Sequence, residues 1–203
     1  MTTTRGNIKR EIDLQTMVQW IAPECRVLDL GCGRGVFLEH LALTRGTYGI
    51  GIDKDRKKIS GCIKRDVNAY QGTVEEGLSI FEDNSFDWVI CSRMLHEIDN
   101  PYEVLTGAMR VGHHVAVGFV NFGFWATRMS ILSSGQRPQN EVYPHPWHYS
   151  KPYNPLSIRD FEQFCEELNY QVTHRVYLDR TWRSHVKTRP NLNAGYAVYA
   201  ITR

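Results

Sequence analysis

Two aspartates and three glycines are the residues of this sequence best suited to hold a charged ligand. In Val27-Leu28-Asp29-Leu30-Gly31-Cys32-Gly33-Arg34-Gly35 an acid is followed by three alternating glycines. Such glycines let the chain turn tightly at positive φ and present bare backbone to whatever binds. A dinucleotide site spaces them G-x-G-x-x-G and seats a pyrophosphate at a helix N-terminus. Here the spacing is G-x-G-x-G, and a carboxylate at Asp29 repels a pyrophosphate but suits a cation. The second acid, Asp53, lies 18 residues after Gly35 and ends the run Tyr48-Gly49-Ile50-Gly51-Ile52-Asp53. Two carboxylate oxygens match a vicinal diol such as a ribose, each accepting one hydroxyl.

Other reactive side chains carry weaker signals. His96 follows a strand-like run and is a weak candidate for a general base, though a histidine on a first helical turn is more often a surface or supporting residue. His145 and His148 sit at i, i+3 among prolines with no third ligand in sight, so no metal site is expected. Asp13, Glu39 and Asp160 read as helix caps or exposed helix charges.

The elements that position these groups follow from periodicity. Arg26–Leu30 and Tyr48–Asp53 are strand-type runs, and Phe37, Leu38, Leu41 and Ala42 mark the helix after the glycine turn. Before them, Leu14, Met17, Val18 and Ile21 form the stripe of a helix over residues 13–22, with Asp13 as N-cap and Pro23 as its stop. A polar helix is expected over Arg56–Lys64 with Ile59 and Ile63 inward, then a strand at Asn68–Gln71 and a short helix or turn over Glu75–Phe81. Phe86–Cys91 and His114–Val120 are later strands, separated by a helix that Asn100-Pro101 opens. This alternation predicts parallel strands. A helix over Phe122–Leu132 is expected next, then a long aperiodic stretch, about 133–156, that carries prolines 144, 146, 152 and 155 with Tyr143, Trp147, Tyr149 and Tyr153 between them. A stretch of that length reads as a lid or a binding loop. Ser157 to Asp160 resembles a capping box before a helix, and Gln171–Leu178 and Tyr196–Ile201 read as an antiparallel edge hairpin.

At 203 residues the chain is of a length for one domain, residues 1–203, that buries roughly 70 % of its extended surface. A net charge of +2 makes no electrostatic case for a nucleic-acid partner. Five scattered cysteines without a C-x-x-C pair suggest reduced thiols, and no run reaches membrane-spanning length, so a cytoplasmic protein is expected.

The string VLDLGCGRG resembles motif I of the class I S-adenosylmethionine-dependent methyltransferases. More narrowly, DLQTMVQWIAPECRVLDLGCGRG, CIKRDVNAYQGTVEEGLSIFEDNSFDWVICS, RVGHHVAVGFVNFGFWATRMSILSSGQRP and PHPWHYSKPYNPLSIRDFEQFC are similar to the methionine-biosynthesis protein W (MetW) family. The resemblance implies an α/β fold of three layers: a doubly wound, mostly parallel seven-stranded sheet with the last strand antiparallel. It implies S-adenosylmethionine as ligand, S-adenosylhomocysteine as product, and cofactor contacts at Asp29, Gly31, Cys32, Gly33, Gly35, Asp53, Thr73, Val74 and Ser92. Where these methyltransferases commonly carry Gly-Asp, this chain has Gly72-Thr73, and a hydroxyl accepts the adenine amino group more weakly than a carboxylate. The resemblance also implies a role in methionine biosynthesis beside homoserine O-acyltransferase. Two functions stay open: methylation of a small molecule, inside or outside that pathway, and a binding module that contacts the acyltransferase and senses the pathway's product.

Overall fold

The computed structural model of the protein describes residues 11–136, 138, 147–149 and 154–203. Its organising element is β1 (Arg26–Leu30), four of whose five residues are buried. β1 pairs in parallel with β2 (Tyr48–Asp53) on one side and β4 (Phe86–Ser92) on the other. β3 (Asn68–Gln71) extends the first side, and β5 (Gly112–Val120) the second. β7 (Tyr196–Thr202) then runs antiparallel to both of its neighbours, β5 and β6 (Gln171–Leu178). The sheet order is β3-β2-β1-β4-β5-β7-β6. The chain winds one way from β1 to β3 and the other way from β4, which opens a crevice at the carboxyl ends of β1 and β4.

Alternation along the strands sends side chains into two cores. On one face Val27, Ile90 and Val198 pack with Met17 of α1 (Ile12–Trp20), Phe37, Leu38 and Leu41 of α2 (Val36–Arg45) and Cys62 of α3 (Arg56–Ile63). On the other, Leu28, Val89 and Tyr199 meet Leu78 of α4 (Val74–Ile80), Leu105 of α5 (Pro101–Val111) and Phe161 of α7 (Ile158–Glu167). The expected three-layer, mostly parallel sheet is therefore present. The remaining helices are α6 (Trp125–Ser134) and the short α8 (Pro190–Asn193). No helix among the described residues is long and apolar enough to cross a membrane.

Several local expectations change. α1 has Glu11 at its N-cap, whose side chain makes no capping bond, and Asp13 is fully buried instead of capping it. On α3 it is Cys62 that faces inward while Ile63 is 71 % exposed, because the slim thiol fits under Gly35, where a Cβ would lie 3.1 Å from Cys62 Sγ. α6 starts at Trp125 rather than Phe122 because Asn121 holds the chain in a turn: its Oδ1 accepts from the amides of Gly123 and Ile158. Glu39 is a partly buried partner of Arg65, at 2.6 Å, rather than a solvated charge. The capping box is as expected, with Ser157 Oγ accepting from Asp160 N and Asp160 Oδ2 from Ser157 N. β6 and β7 do pair antiparallel, but β7 lies inside the sheet and only β6 is at its edge. Tyr143, His145, Tyr153 and the side chain of Trp147 lie outside the described residues.

Candidate functional site

A cleft of about 500 Å³ opens at the carboxyl ends of β1, β2 and β4. Of the residues singled out in the sequence, Asp29, Gly31, Cys32, Asp53, Thr73, Val74 and Ser92 line it. Gly33 and Gly35, expected beside them, belong to the same turn but are not on the cleft wall. Gly31, Gly33 and Gly35 have φ of 72°, 59° and 72°, the left-handed region where a side chain is strained. The turn is held from β2: the amides of Gly31 and Cys32 both donate to Ile52 O, at 2.8 and 3.0 Å. Gly51 is required for the same packing, since a Cβ there would stand 2.4 Å from Cys32 Sγ.

The two acids have different environments. Asp53 is 5 % exposed and well supplied with donors. Gly33 N reaches its Oδ2 at 3.1 Å, Lys58 Nζ the same oxygen at 3.2 Å, and Asp55 N its Oδ1 at 2.9 Å. A carboxylate has about four acceptor sites and three are taken, so Oδ1 keeps one for a diol hydroxyl and Oδ2 offers a second when the half-exposed Lys58 ammonium moves aside. Asp29 is equally buried, and none of the cleft's hydrogen bonds goes to it among the described residues. Burial, with the charge of Asp53 nearby, pushes its carboxyl up to about 8. A buried acid facing a cavity without a donor is a place for a cation.

Cys32 Sγ lies 3.9 Å from Cys62 Sγ, both as free thiols, and burial raises both. Thr73 has a second duty, which the T-x-x-E spacing to Glu76 signals. Its hydroxyl accepts from Glu76 N at 3.2 Å while Glu76 Oε2 accepts from Thr73 N, a capping box that starts α4 beside the cleft. The hydroxyl keeps one lone pair for a ligand. His96 sits in a 3₁₀ turn, Leu95–Glu97, and is not on the cleft wall. Its Nε2 lies 3.5 Å from Glu97 Oε1, and burial, opposed in part by Glu97, holds its pKa below the usual histidine value.

Two functional-looking residues were missed. Arg93, directly after β4, lines the cleft in a left-handed backbone conformation, φ 59°, of a kind that costs of order 1–3 kcal/mol. Asn154 ties the far end of the long aperiodic stretch to the turn beside the cleft: its Nδ2 donates to Leu95 O and Ile98 O, and its amide to His96 O. Nothing in residue type or spacing announces either contact, because each joins segments dozens of positions apart.

Comparison with known proteins fits this geometry. A profile described as methionine biosynthesis protein MetW matches residues 11–201. The chain belongs to the MetW family. Among curated relatives, the bifunctional methionine biosynthesis protein MetXA/MetW of Rhodopirellula baltica is 27 % identical over 209 residues, 98 % of this chain and 34 % of that protein. The ubiquinone biosynthesis O-methyltransferase of Hahella chejuensis is 35 % identical over 94 residues, 44 % of this MetW-family chain and 39 % of that enzyme. The chain thus spans between a third and two fifths of these two relatives. In fold it is similar to a SAM-dependent methyltransferase from Archaeoglobus fulgidus, with a TM-score of 0.70 at 16 % identity, covering 98 % of this chain and 96 % of that one. The MetW-family chain therefore has the class I methyltransferase fold.

Proposed function

We propose that this chain binds S-adenosylmethionine in the cleft and acts in methionine biosynthesis in association with homoserine O-acyltransferase. The observation that carries the ligand is the contrast between the two acids. Asp53, at the tip of β2, keeps an acceptor site on Oδ1 for one ribose hydroxyl and gains a second on Oδ2 when Lys58 yields, while Asp29 is buried without a donor and suits the positive charge that S-adenosylmethionine carries. Gly31 and Cys32 would hold the ligand's backbone-facing side, Thr73 and Val74 the adenine end, and Ser92 the wall opposite β2. When bound, the ligand supplies an activated methyl group. The protein's part in any transfer is to hold donor and acceptor in line and exclude water, an effect worth roughly 7–11 kcal/mol.

The partner half is supported by the Rhodopirellula relative, which is named for a MetXA and a MetW function in one chain. It is also supported by α6, where none of the ten residues is buried. A helix that short is marginal in water and gains stability from a surface to lie on. The alternative is a methyltransferase acting on a small molecule outside the pathway. It draws on matches to ubiquinone biosynthesis O-methyltransferases, which cover 44 % of this chain at 35 % identity and 87 % at 24 %.

Calorimetry with S-adenosylmethionine and S-adenosylhomocysteine tests the ligand; micromolar binding corresponds to about −8 kcal/mol. Absence of heat and of thermal shift at millimolar ligand would remove the reading. Pull-down against homoserine O-acyltransferase, with and without the ligand, tests the partner. Turnover of a methyl acceptor without any acyltransferase binding would favour the alternative.

A further inference from the structure

We propose that Arg93 is a positioning residue of the cleft: its guanidinium fastens α1 in place as one wall, so that seating of α1 and filling of the cleft are coupled. The coupling rests on the cleft being the S-adenosylmethionine site.

Two segments remote in sequence, residues 11–13 and the stretch around Trp182, converge on this one group. From α1, Asp13 receives a two-pronged bond, Nε to Oδ2 at 2.8 Å and Nη2 to Oδ1 at 2.7 Å, with its own side chain fully buried. From the residue before α1, Glu11 Oε2 lies 2.8 Å from Nη2. From the segment between β6 and β7, the Trp182 ring lies 4.8 Å from the guanidinium carbon and meets the Tyr196 ring in turn, tilted by 37° at 4.3 Å. The backbone of Arg93 is anchored to the sheet, its amide donating to Gly118 O at 2.8 Å. A planar fork is needed for this; a lysine supplies one point charge and cannot span both carboxylate oxygens.

The clamp bears on the ligand because of what α1 carries. Glu11 and Leu14 line the cleft from the α1 side, and Arg93 and Met94 line it from the β4 side. The bond that holds α1 down therefore closes the cavity. α1 has nine residues, of which Asp13, Thr16 and Met17 are buried. Met17, Val18 and Trp20 pack the rest of α1 against the core, so the fork governs the seating of its first turn, where Glu11 and Leu14 meet the cleft. If α1 must be seated to complete the cleft, ligand binding must favour the seated state by the same factor, by linkage.

The test uses the full chain, with S-adenosylhomocysteine as probe, calorimetry for affinity and hydrogen exchange of the α1 amides as readout. In the wild type the ligand is expected to slow α1 exchange at least tenfold. Arg93→Lys is expected to speed α1 exchange in the free protein, leave β4 and β5 exchange unchanged and weaken the ligand at least tenfold. Asp13→Asn separates positioning from contact, since Asp13 is buried and does not line the cleft; it is expected to weaken the ligand at least fivefold. Full affinity in Asp13→Asn beside a loss in Arg93→Lys would show Arg93 acting by direct contact and overturn the proposal. So would an α1 whose exchange the ligand leaves unchanged in the wild type, a measurement that stands even if both variants fail to fold. A wild type that does not bind the probe defeats the reading of the cleft and the coupling together. The clamp alone is then still judged by α1 exchange in free Arg93→Lys, and an unchanged rate there overturns it too.

Discussion

The backbone amide of Gly33 donates to Asp53 Oδ2 at 3.1 Å, so the glycine turn after β1 is held in shape by the acid at the tip of β2. Asp53 thus has two tasks: it faces the cleft, and it supports the loop that forms the cleft floor. Substitution will show both. Asp53→Ala is expected to weaken S-adenosylhomocysteine by about 1.5–3 kcal/mol for each hydrogen bond to the charged group, and to lower Tm as well, since the amides of Gly33 and Asp55 lose their acceptor. Asp53→Asn keeps one oxygen and is expected to recover most of the Tm while remaining weak in binding. Calorimetry beside thermal melts separates the two losses. An unchanged dissociation constant in both variants would place the ligand elsewhere.

That double duty shows where sequence reading runs out. Strands β1, β2 and β3 fall at their expected residues because each is bounded by a local signal, an acid, a glycine or a polar turn. The pairing of Asp29 and Asp53 in one cleft was also legible, since doubly wound folds bring adjacent strand tips together. The sequence alone points to Asp13 as a cap, because an acid at a helix start usually is one. Its partner, Arg93, is 80 positions away, and only the sheet brings the two together. Ile63 is exposed for a related reason: helical spacing allows either Cys62 or Ile63 inward, and the space left by Gly35 decides for the thiol.

The titration of Asp29 gives a pH dependence with a definite sign. Its carboxyl is raised from 3.8 to about 8 in the folded chain. The unliganded protein therefore holds a proton there that the unfolded chain releases. That contribution to stability is complete below pH 3.8 and is lost as pH rises through about 8. A cation beside Asp29 favours the ionised form, so binding releases the proton. Affinity for S-adenosylmethionine is expected to rise by up to about tenfold per unit as pH approaches 8 and to level off above it. In Asp29→Asn the slope should vanish and the free protein should melt higher than wild type at pH 8. A wild-type affinity flat from pH 6 to 8 would mean that no cation sits beside Asp29.

Asn154 is a structural pin with a measurable worth. Its side chain satisfies Leu95 O at 3.2 Å and Ile98 O at 2.6 Å, in the turn that borders the cleft. Asn154→Leu removes both bonds, each worth about 0.5–1.5 kcal/mol, and leaves the two carbonyls without that donor. Urea unfolding is expected to show a loss of about 1–3 kcal/mol at unchanged m-value. A loss below about 0.5 kcal/mol would mean that solvent replaces the contact at no cost.

The last prediction concerns α6 and the acyltransferase. Trp125, Met129 and Leu132 fall at i, i+4 and i+7 on one helical face, and they are 51 %, 50 % and 78 % exposed. The loop over Tyr143–Pro155, which the sequence marks as a lid or a binding loop, lies largely outside the described residues, whereas α6 lies shortly before it and is described throughout. Exposed aromatic and aliphatic side chains contribute little to the free fold, and buried tryptophans at interfaces carry much of the binding energy. The double change Trp125→Ala with Leu132→Ala is therefore expected to leave unfolding within about 0.5 kcal/mol of wild type and S-adenosylhomocysteine affinity unaltered. Association with homoserine O-acyltransferase should fall by about 2 kcal/mol or more, read by calorimetry or by retention on the immobilised acyltransferase. A double variant that folds, binds the ligand and still associates at full strength would remove α6 from the interface. A large loss of stability without a loss of association would show that this face is already covered within the chain.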